Sequence, residues 1–375
     1  MSKTLIYADH AATTALSPTA RESMEPFLGT FYGNPSTLYS LARDPRKAIA
    51  QSREVIAAAI HANPSEIFFT SGGTEADNWA LKGTVFQHER GKGIITSAIE
   101  HHAILNSCAA LERMGYSINT LPVDNEGVVH ADALRSTLAS NTVLVSVMLA
   151  NNEIGTLEPV AELANLAHQT GVLFHTDAVQ AIGHIPVDVK ALQVDMLSAS
   201  AHKFNGPKGI GFLYVRNGVE LVPLLDGGGQ EGGMRAGTEN VAGIVGMATA
   251  LQEHMEHMAQ ENRYLNELSG KLIDLLKHKG LDFRINGSHN RIPGSLSLSF
   301  KAADGEMLLH RLDLMGTAVA TGSACDSKDA VLSHVIREIS VPPEYAHGTI
   351  RVTLGMDNTA EHVERIAQQI TSILY

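Results

Sequence analysis

The stretch that decides the fold is VLFHTDAVQ, residues 172–180. It begins as an apolar run with the length of a buried strand, Val172–His175, and reaches an acidic residue, Asp177, where the strand is expected to end. Similar apolar runs alternate with helical patterns from residue 45 to about residue 215. This alternation predicts βαβ units, and therefore a mostly parallel sheet with helices on both faces.

The alternation can be resolved into individual elements. The predicted strands are Ile67–Thr70, Gly93–Ser97, Val143–Leu149, Val172–His175, Asp195–Ser200 and Gly211–Val215. The predicted helices are Arg46–Ile60, Glu75–Val85, His102–Met114 and Val160–Gln169. The run Val143–Leu149 is continuously apolar, as expected of a strand that is buried on both faces.

The pattern changes in the last third of the chain. A long helical pattern rich in Met, His, Glu and Leu covers Val241–Lys277. Beyond it, Ser295–Phe300 alternates with a period of two, which predicts a half-exposed strand. We therefore expect two domains: a large one over residues 15–261, and a smaller α+β domain formed by residues 1–14 and 262–375.

Composition excludes several classes of protein. The 375 residues are 44% hydrophobic, which is enough for a large buried core. A formal net charge of −12 argues against a dedicated nucleic-acid surface. Two cysteines cannot form a disulfide framework, and no apolar run has the length of a signal peptide core or a membrane span. We therefore expect a cytoplasmic protein that binds neither membrane nor nucleic acid.

Lys203 and Asp177 each follow a predicted strand. Burial there disfavours an ammonium group, so Lys203 is a candidate nucleophilic amine that can form a Schiff base with pyridoxal phosphate (PLP). A buried carboxylate at Asp177 can hold a proton on the pyridine nitrogen of PLP, and Gln180 would share its face on a helix starting there. A solvated loop lysine and an ordinary N-cap aspartate are the alternatives, and both stay open.

A glycine turn, Gly72–Gly73, joins a predicted strand to a predicted helix, and Thr74 adds a hydroxyl group. Free N–H groups and the helix dipole at such a turn favour an anion, and glycine lets the backbone approach a phosphate closely. The alternative is an ordinary capped helix with Glu75 in its first turn.

His101 and Cys325 are the remaining candidates for chemistry. His101 follows a strand, and its flat imidazole could lie on a pyridine ring and carry protons near neutral pH. Cys325 stands among small residues, which predicts a loop thiol rather than a packed one, and the neighbouring Asp326 would raise its pKa above the usual value of about 8.5. Cys108 stands among apolar residues and is expected to be structural.

Together these motifs resemble the cysteine desulfurases (NifS/IscS-like), PLP enzymes of the class V aminotransferase superfamily. The resemblance runs nearly from end to end and is carried by motifs in the same order: YADHAATT (7–14), GNPS (33–36), TSGGTE (70–75), NNEIG (151–155), HTDAVQ (175–180), AHK (201–203), GGGQE (227–231), RAGTEN (235–240) and IRVTLG (350–355). It implies the fold of PLP-dependent transferases of fold type I. That fold has a large domain with a mostly parallel seven-stranded sheet between helices, and a smaller α+β domain that carries Cys325.

The resemblance also implies a role for each site residue. Lys203, His101 and Cys325 would be catalytic, with Lys203 bound to PLP and His101 stacked on its ring. Asp177 would contact PLP at the ring nitrogen and Gln180 at the ring hydroxyl. The residues implied at the phosphate are Gly73, Thr74, Ser200, His202 and the partner subunit's Thr238, and Asn152 is also implied to bind the cofactor. Asn152 and Arg351 would bind the substrate carboxylate, with Asn34 nearby, and no metal site is implied.

The implied reaction removes sulfur from L-cysteine, giving L-alanine and a persulfide on Cys325. A homodimer would pass the sulfur to an acceptor protein, such as an iron–sulfur scaffold or a thiolation relay. The alternatives are a selenocysteine lyase, another class V PLP enzyme, or a non-catalytic sulfur-transfer partner. The sequence departs from the family at His10, where Asn is usual, and at Asp326, where Ser or Thr is usual.

Overall fold

The computed structural model describes residues 5–88, 92–322 and 332–375, so that Cys325 and Asp326 lie outside the described residues. The strands of the described chain are β1 (Ile6–Tyr7), β2 (Ile67–Thr70), β3 (Gly93–Ser97), β4 (Ser117–Leu121), β5 (Thr142–Ser146), β6 (Leu173–Asp177), β7 (Met196–Ser200), β8 (Gly211–Val215), β9 (Phe283–Asn286), β10 (Ser295–Phe300), β11 (Thr317–Ala318) and β12 (Thr349–Thr353). The helices are α1 (Pro18–Gly29), α2 (Arg43–Ala59), α3 (Gly73–Gln87), α4 (His102–Arg113), α5 (Ala131–Thr137), α6 (Val160–His168), α7 (Val241–His278), α8 (Gly305–Leu314), α9 (His334–Glu338), α10 (Pro343–Ala346) and α11 (Ala360–Leu374).

The central sheet has seven strands in the order β2-β8-β7-β6-β5-β3-β4. Strands β7, β6, β5, β3 and β4 pair in parallel, whereas β8 runs antiparallel to both β2 and β7. The predicted mostly parallel sheet is therefore confirmed. All six predicted strands of this sheet are present, and Ile67–Thr70, Gly93–Ser97 and Gly211–Val215 have the predicted bounds. The one strand of the central sheet that the sequence analysis did not predict is β4, whose residues are mostly half-buried or exposed.

Apolar side chains bury both faces of the sheet. On one face, residues of α2, α6 and α7 pack against β5, β6 and β7 in the largest hydrophobic cluster. On the other face, α3 and α4 contribute Trp79, Ile104 and Leu111, which pack with Leu144 and Leu213 of the sheet. A sheet covered in this way explains why its strands read as continuous apolar runs rather than alternating ones.

A second core lies in the C-terminal part of the chain. It joins Ile6 and Ala8 of the N-terminal segment to β10, β12, α8 and α11. Helix α7 contributes to both cores, with Met247 and Leu251 in the first and Leu268 and Leu272 in the second. The predicted domain boundary at residues 261 and 262 falls inside this helix and stays a prediction. In the described part of the chain, no helix is both long and apolar enough to cross a membrane.

The predicted half-exposed strand Ser295–Phe300 is wrong in one respect, because all six of its residues are buried. Strand β10 is the middle strand of an antiparallel sheet, between β12 and β9. Two of its three serines are satisfied inside the protein: the Asn286 amide donates to the hydroxyls of Ser297 (3.1 Å) and Ser299 (2.7 Å). The polar half of the alternation therefore marks buried hydrogen bonds, not contact with water.

We predict that Asn286→Ala destabilises the protein by about 1–3 kcal/mol, because it leaves two buried hydroxyls without their amide donor. The measurement is the midpoint of denaturant unfolding of the cofactor-free protein. Asn290→Ala, at an exposed position four residues along, is the matched control and should leave the midpoint unchanged. Equal midpoints for the two variants would contradict a structural role for the amide.

Candidate active site

Parallel pairing of β6 with β7 brings the candidate residues to one edge of the sheet. Asp177 is the last residue of β6 and lies opposite Ser198 of β7, and the chain then reaches Lys203 within five residues. A cavity of about 630 Å³ opens at this edge. The predicted site residues that line it are Gly73, Thr74, His101, Asn152, Asp177, Gln180, Ser200, His202, Lys203 and Arg351.

The amine of Lys203 lies against the cavity wall. Its Nζ donates to the backbone oxygens of Ala11 (2.6 Å) and Ala12 (2.9 Å), and its own backbone oxygen accepts a hydrogen bond from Nε2 of His184 (2.9 Å). The carbonyl groups of the N-terminal segment thus hold the amine inside the cavity. This position favours the reactive amine over the alternative of a solvated loop lysine.

Asp177 is a buried carboxyl group in the wall of the cavity. Burial raises its pKa, while His101, the backbone N–H of Val179 and Lys203 act in the opposite direction. The N–H of Val179 donates to Oδ1 of Asp177 at 2.9 Å. A cation placed beside this carboxyl would reverse the effect of burial and favour its ionised form.

No α-helix begins after Asp177. The residues that follow it form turns, the next helical turn is the 3₁₀ segment Ala201–Lys203, and the next α-helix of the described chain is α7. The N-cap alternative for Asp177 is therefore wrong, and so is the helix on which Gln180 was expected to lie. Gln180 reaches the cavity from a turn, where its amide donates to the backbone oxygen of Ala11 at 2.9 Å.

The N-terminus of α3 also lines the cavity. Gly72, with φ of 149°, adopts a backbone conformation that favours glycine. Gly73 packs so closely that an added Cβ would lie 2.5 Å from Cγ2 of Val179. The first N–H groups of a helix have no partner within the helix, and they can therefore bind an anion such as phosphate.

Charged and polar side chains surround this helix end. Burial raises the pKa of Glu75, but hydrogen bonds from Arg235 and Ser71 outweigh it and the pKa is lowered overall. Arg235 holds both carboxylate oxygens of Glu75, at 2.8 and 3.0 Å. The pKa of His202 is lowered to about 4 by burial and by Lys203 and Lys208, so its imidazole is neutral at neutral pH.

His101 has a fixed orientation because it is the N-cap of α4. Its Nδ1 accepts a hydrogen bond from the backbone N–H of Ala103 at 3.1 Å, which places the ring proton of the neutral imidazole on Nε2. Burial lowers its pKa, the carboxyl group of Asp177 opposes this, and Lys203 and His102 add smaller effects in the same direction as burial. Because Nδ1 is engaged, His101 is better arranged to donate from Nε2 than to accept a proton. Its role as a proton carrier stays a prediction.

Arg351 of β12 presents a guanidinium group to the cavity. One terminal nitrogen donates to the backbone oxygen of Asn152 (2.8 Å) and the other to Oδ1 of Asp9 (2.7 Å). Its Nε is buried without a hydrogen-bond partner among the described residues. A planar donor with an unsatisfied N–H suits recognition of a carboxylate.

Two predicted residues of the described chain, Asn34 and Thr238, do not line the cavity, and a third lies outside the described residues. The amide oxygen of Asn34 accepts from the backbone N–H of Ser36 at 2.9 Å. Thr238 is exposed and lines a separate small cavity with Ser71 and Gly209. Cys325 lies outside the described residues, while Gly322, the last residue described before it, does line the main cavity.

Sequence reasoning missed other residues that build the site. Asp9 pairs with Arg351, the carbonyl groups of Ala11 and Ala12 bind Lys203, and Asp77 lines the cavity from α3. Asp77 follows Gly73 by four residues, about one helical turn, and that spacing was the available signal. The contacts of the Ala11 and Ala12 carbonyl groups could not be predicted, because any residue type supplies a backbone carbonyl. Cys108 is buried, and burial raises its pKa to about 12, which fits an inert structural thiol.

Comparison with known proteins places the chain in a family. The family model described as aminotransferase class-V matches residues 6–366. A cysteine desulfurase IscS of Dictyoglomus turgidum is 48% identical over 377 residues, covering 98% of this chain and 96% of the relative. The chain belongs to the aminotransferase class-V family. Its curated relatives there are cysteine desulfurases, which confirms the predicted family and enzyme type.

Solved structures agree with this assignment. One named NifS-like protein superposes with a TM-score of 0.93 at 37% identity and covers 99% of both chains. Another, named SspA in complex with cysteine, has a TM-score of 0.83 at 35% identity and covers 93% of this chain and 99% of that one. The predicted fold class is confirmed.

We predict that Gly73→Ala lowers the affinity of the cofactor-free protein for PLP by about tenfold or more. The added Cβ would displace Val179 or the start of α3, where the phosphate of PLP is expected to bind. The measurement is a fluorescence titration with PLP. Gly270→Ala, where an added Cβ meets nothing within 4 Å, is the control and should bind as the wild type does. If Gly73→Ala bound PLP as tightly as the wild type does, the phosphate group of PLP would not bind at the start of α3.

Proposed function

We propose that this protein removes sulfur from L-cysteine with the help of PLP, giving L-alanine and a persulfide on Cys325. The observation that carries the proposal is the convergence of Lys203, Asp177, Arg351 and the N-terminus of α3 on one cavity of about 630 Å³. An amine, a buried carboxyl, a guanidinium and an anion site match the chemistry of an amino acid bound beside PLP. The relative that holds cysteine supports the same substrate.

The residues of the cavity fit PLP. A cation beside the buried Asp177 carboxyl would stabilise its ionised form, and the protonated ring nitrogen of PLP would be such a cation. The glycine turn before α3, with Ser200 and His202 beside it, suits a phosphate group. When bound, PLP supplies an electron-withdrawing ring that stabilises negative charge on the substrate carbon atoms.

The chain's own residues would then divide the work of binding and proton transfer. Arg351 orients the substrate carboxylate through its fork of N–H groups, with Asn152 beside it. Nζ of Lys203 takes the proton from Cα, since it is the amine that the cavity wall holds in place. His101, which lines the same cavity, would lie against the cofactor ring and carry protons through Nε2.

Cys325 performs the sulfur transfer. Its thiolate attacks the substrate sulfur, so that a sulfur–sulfur bond forms while the Cβ–S bond breaks. The electron pair of the broken bond stays on Cβ, which takes up a proton, and alanine leaves. The persulfide sulfur is then available to an acceptor protein, with an iron–sulfur scaffold or a thiolation relay as the proposed partners.

The proposed homodimer is supported by two features of the surface. Thr238 is exposed and separate from the main cavity of its own chain, as expected of a residue that acts across an interface. Large apolar side chains are also exposed between residues 28 and 41, among them Leu38 at 96% and Tyr32 at 73%. Such a concentration of apolar surface is typical of an interface between subunits. A cytoplasmic location stays a prediction from cysteine content and composition.

We predict that Lys203→Ala abolishes the visible absorbance of bound PLP and the formation of alanine from cysteine, because the amine that holds the cofactor is lost. Cys325→Ala should keep the absorbance and lose alanine formation, because only the sulfur acceptor is removed. Absorbance spectra and an alanine assay measure the two effects. Cys108→Ala is the control and should retain both.

Two outcomes would contradict this assignment. Alanine formation by Cys325→Ala at the wild-type rate would show that the reaction does not need a persulfide on Cys325. Release of a keto acid in place of alanine would favour an aminotransferase. Parallel assays with selenocysteine distinguish a cysteine desulfurase from a selenocysteine lyase. A selenocysteine lyase would form alanine from selenocysteine but not from cysteine.

We predict that Thr238 acts across the dimer interface. Thr238→Val should lower PLP affinity, and co-expression with Lys203→Ala should restore one complete site per mixed dimer. That site has its own Lys203 and receives Thr238 from the other subunit. The measurement is PLP affinity and alanine formation of the purified mixed dimer. Recovery no greater than that of Thr238→Val alone would place the threonine in its own subunit's site or in none.

A further inference from the structure

Glu75 brings a carboxylate to the part of the cavity where the phosphate group of PLP is proposed to bind. It is the third residue of α3, after Gly73 and Thr74, and all three residues line the main cavity. The N–H groups of these residues have no acceptor within the helix, which leaves them available to an anion. An ionised carboxylate beside them would repel a phosphate group and compete with it for the same N–H groups.

Hydrogen bonds from Ser71 and Arg235 hold the Glu75 carboxylate away from those N–H groups. Its Oε2 accepts from the backbone N–H of Ser71, which precedes the helix, at 2.8 Å. The guanidinium of Arg235 donates from Nε to Oε1 (2.8 Å) and from a terminal nitrogen to Oε2 (3.0 Å). Such bidentate pairing fixes the orientation of a carboxylate as well as compensating its charge. Within the described chain, the carboxylate makes no hydrogen bond to the first N–H groups of α3, so the alternative of a helix capped by Glu75 applies to Ser71 alone.

Glu75 and Arg235 form a charged pair whose charges compensate each other. The side chains are only 12% and 21% exposed, so water screens the pair incompletely. Burial acts to raise the pKa of Glu75, but hydrogen bonds from Arg235 and Ser71 lower it overall, and the bond to Glu75 raises the pKa of Arg235. Both side chains are therefore ionised at neutral pH, and the start of α3 has no uncompensated negative charge from Glu75.

The chain segment that carries Arg235 has a second, independent attachment to the large domain. The two terminal nitrogens of Arg53 donate to the two carboxylate oxygens of Glu231, at 2.9 and 2.6 Å. The backbone N–H of Phe69 donates to the same carboxylate at 2.9 Å. Loss of the Arg235 guanidinium would therefore leave the segment attached to α2 and β2. A change in phosphate binding can then be assigned to the lost charge rather than to a displaced segment.

We propose that Arg235 is a positioning residue for the cofactor phosphate. It compensates the charge of the Glu75 carboxylate and turns that group away from the start of α3, so that the first N–H groups of the helix can bind the anion. The proposal rests on the PLP site proposed above. Arg235 lines the separate small cavity rather than the main one, so it acts through Glu75 and not by touching the cofactor. The pair thereby favours a phosphorylated cofactor over its unphosphorylated form.

Titrations of the cofactor-free protein with PLP and with pyridoxal, which lacks the phosphate group, test this role. In Arg235→Gln the Glu75 carboxylate loses its counter-ion, so PLP affinity should fall by about tenfold or more. Pyridoxal affinity should stay within about twofold of the wild type, because no phosphate is repelled. Arg113→Gln, at an exposed position at the end of α4, is the control and should bind both compounds as the wild type does.

Removal of both charges should rescue phosphate binding. The double variant Glu75→Gln/Arg235→Gln should bind PLP within about threefold of the wild type, because a neutral amide does not repel the phosphate. Glu75→Gln alone should bind PLP at least as tightly as the wild type, since the Arg235 cation is then left without its anion. A purely structural pair would behave differently, because each of these variants would lose affinity for PLP and pyridoxal alike.

Either of two results for Arg235→Gln would overturn the proposal: PLP affinity equal to that of the wild type, or an equal loss of PLP and pyridoxal affinity. A double variant that binds PLP as weakly as Arg235→Gln would also overturn it, because the guanidinium would then contact the phosphate itself. Wild-type protein that binds neither PLP nor pyridoxal would contradict the proposed function, and this inference with it. The wild-type titration therefore separates a failure of the proposed function from a failure of the role of Arg235.

Discussion

The candidate site depends on the parallel pairing of β6 with β7. The carboxyl ends of parallel strands lie at the same edge of a sheet. Asp177 and Lys203 therefore line the same cavity although they are 26 positions apart in the sequence. The same edge receives the N-terminus of α3, because the α3 segment follows β2 and packs on the sheet beside them. A slip of one residue in this pairing would turn Asp177 away from the cavity.

Burial decides the charge state of nearly every titratable group at this edge. It lowers the pKa of His101, His175 and His202, and it raises that of Asp77 and Asp177. The cavity therefore presents neutral imidazoles and carboxyl groups whose ionisation depends on what is bound beside them. A cationic ring and an anionic phosphate are the kind of ligand that such a cavity stabilises in a defined orientation.

The two ends of the chain complete the site. The N-terminal segment supplies the carbonyl groups that hold Lys203 and the Asp9 carboxylate that pairs with Arg351. Its Ile6 and Ala8 belong to the second core, together with β12, which carries Arg351. The cavity is therefore built between the two cores, and a change in how they pack would move the substrate-binding arginine relative to the lysine. Helix α7, which contributes to both cores, opposes such a change.

The sequence by itself determined six of the seven strands of the central sheet, and it identified Lys203, Asp177 and the glycine turn, because local hydrophobic periodicity and residue chemistry are readable along the chain. Only the tertiary structure decided what lies beside them. Asp9 and the Ala11 and Ala12 carbonyls entered the site through packing, which leaves no local pattern. The only local signal for Asp77 was its spacing of about one helical turn from Gly73. The serines of β10 were misjudged for the same reason, since alternation records polarity but not whether water or another side chain satisfies it.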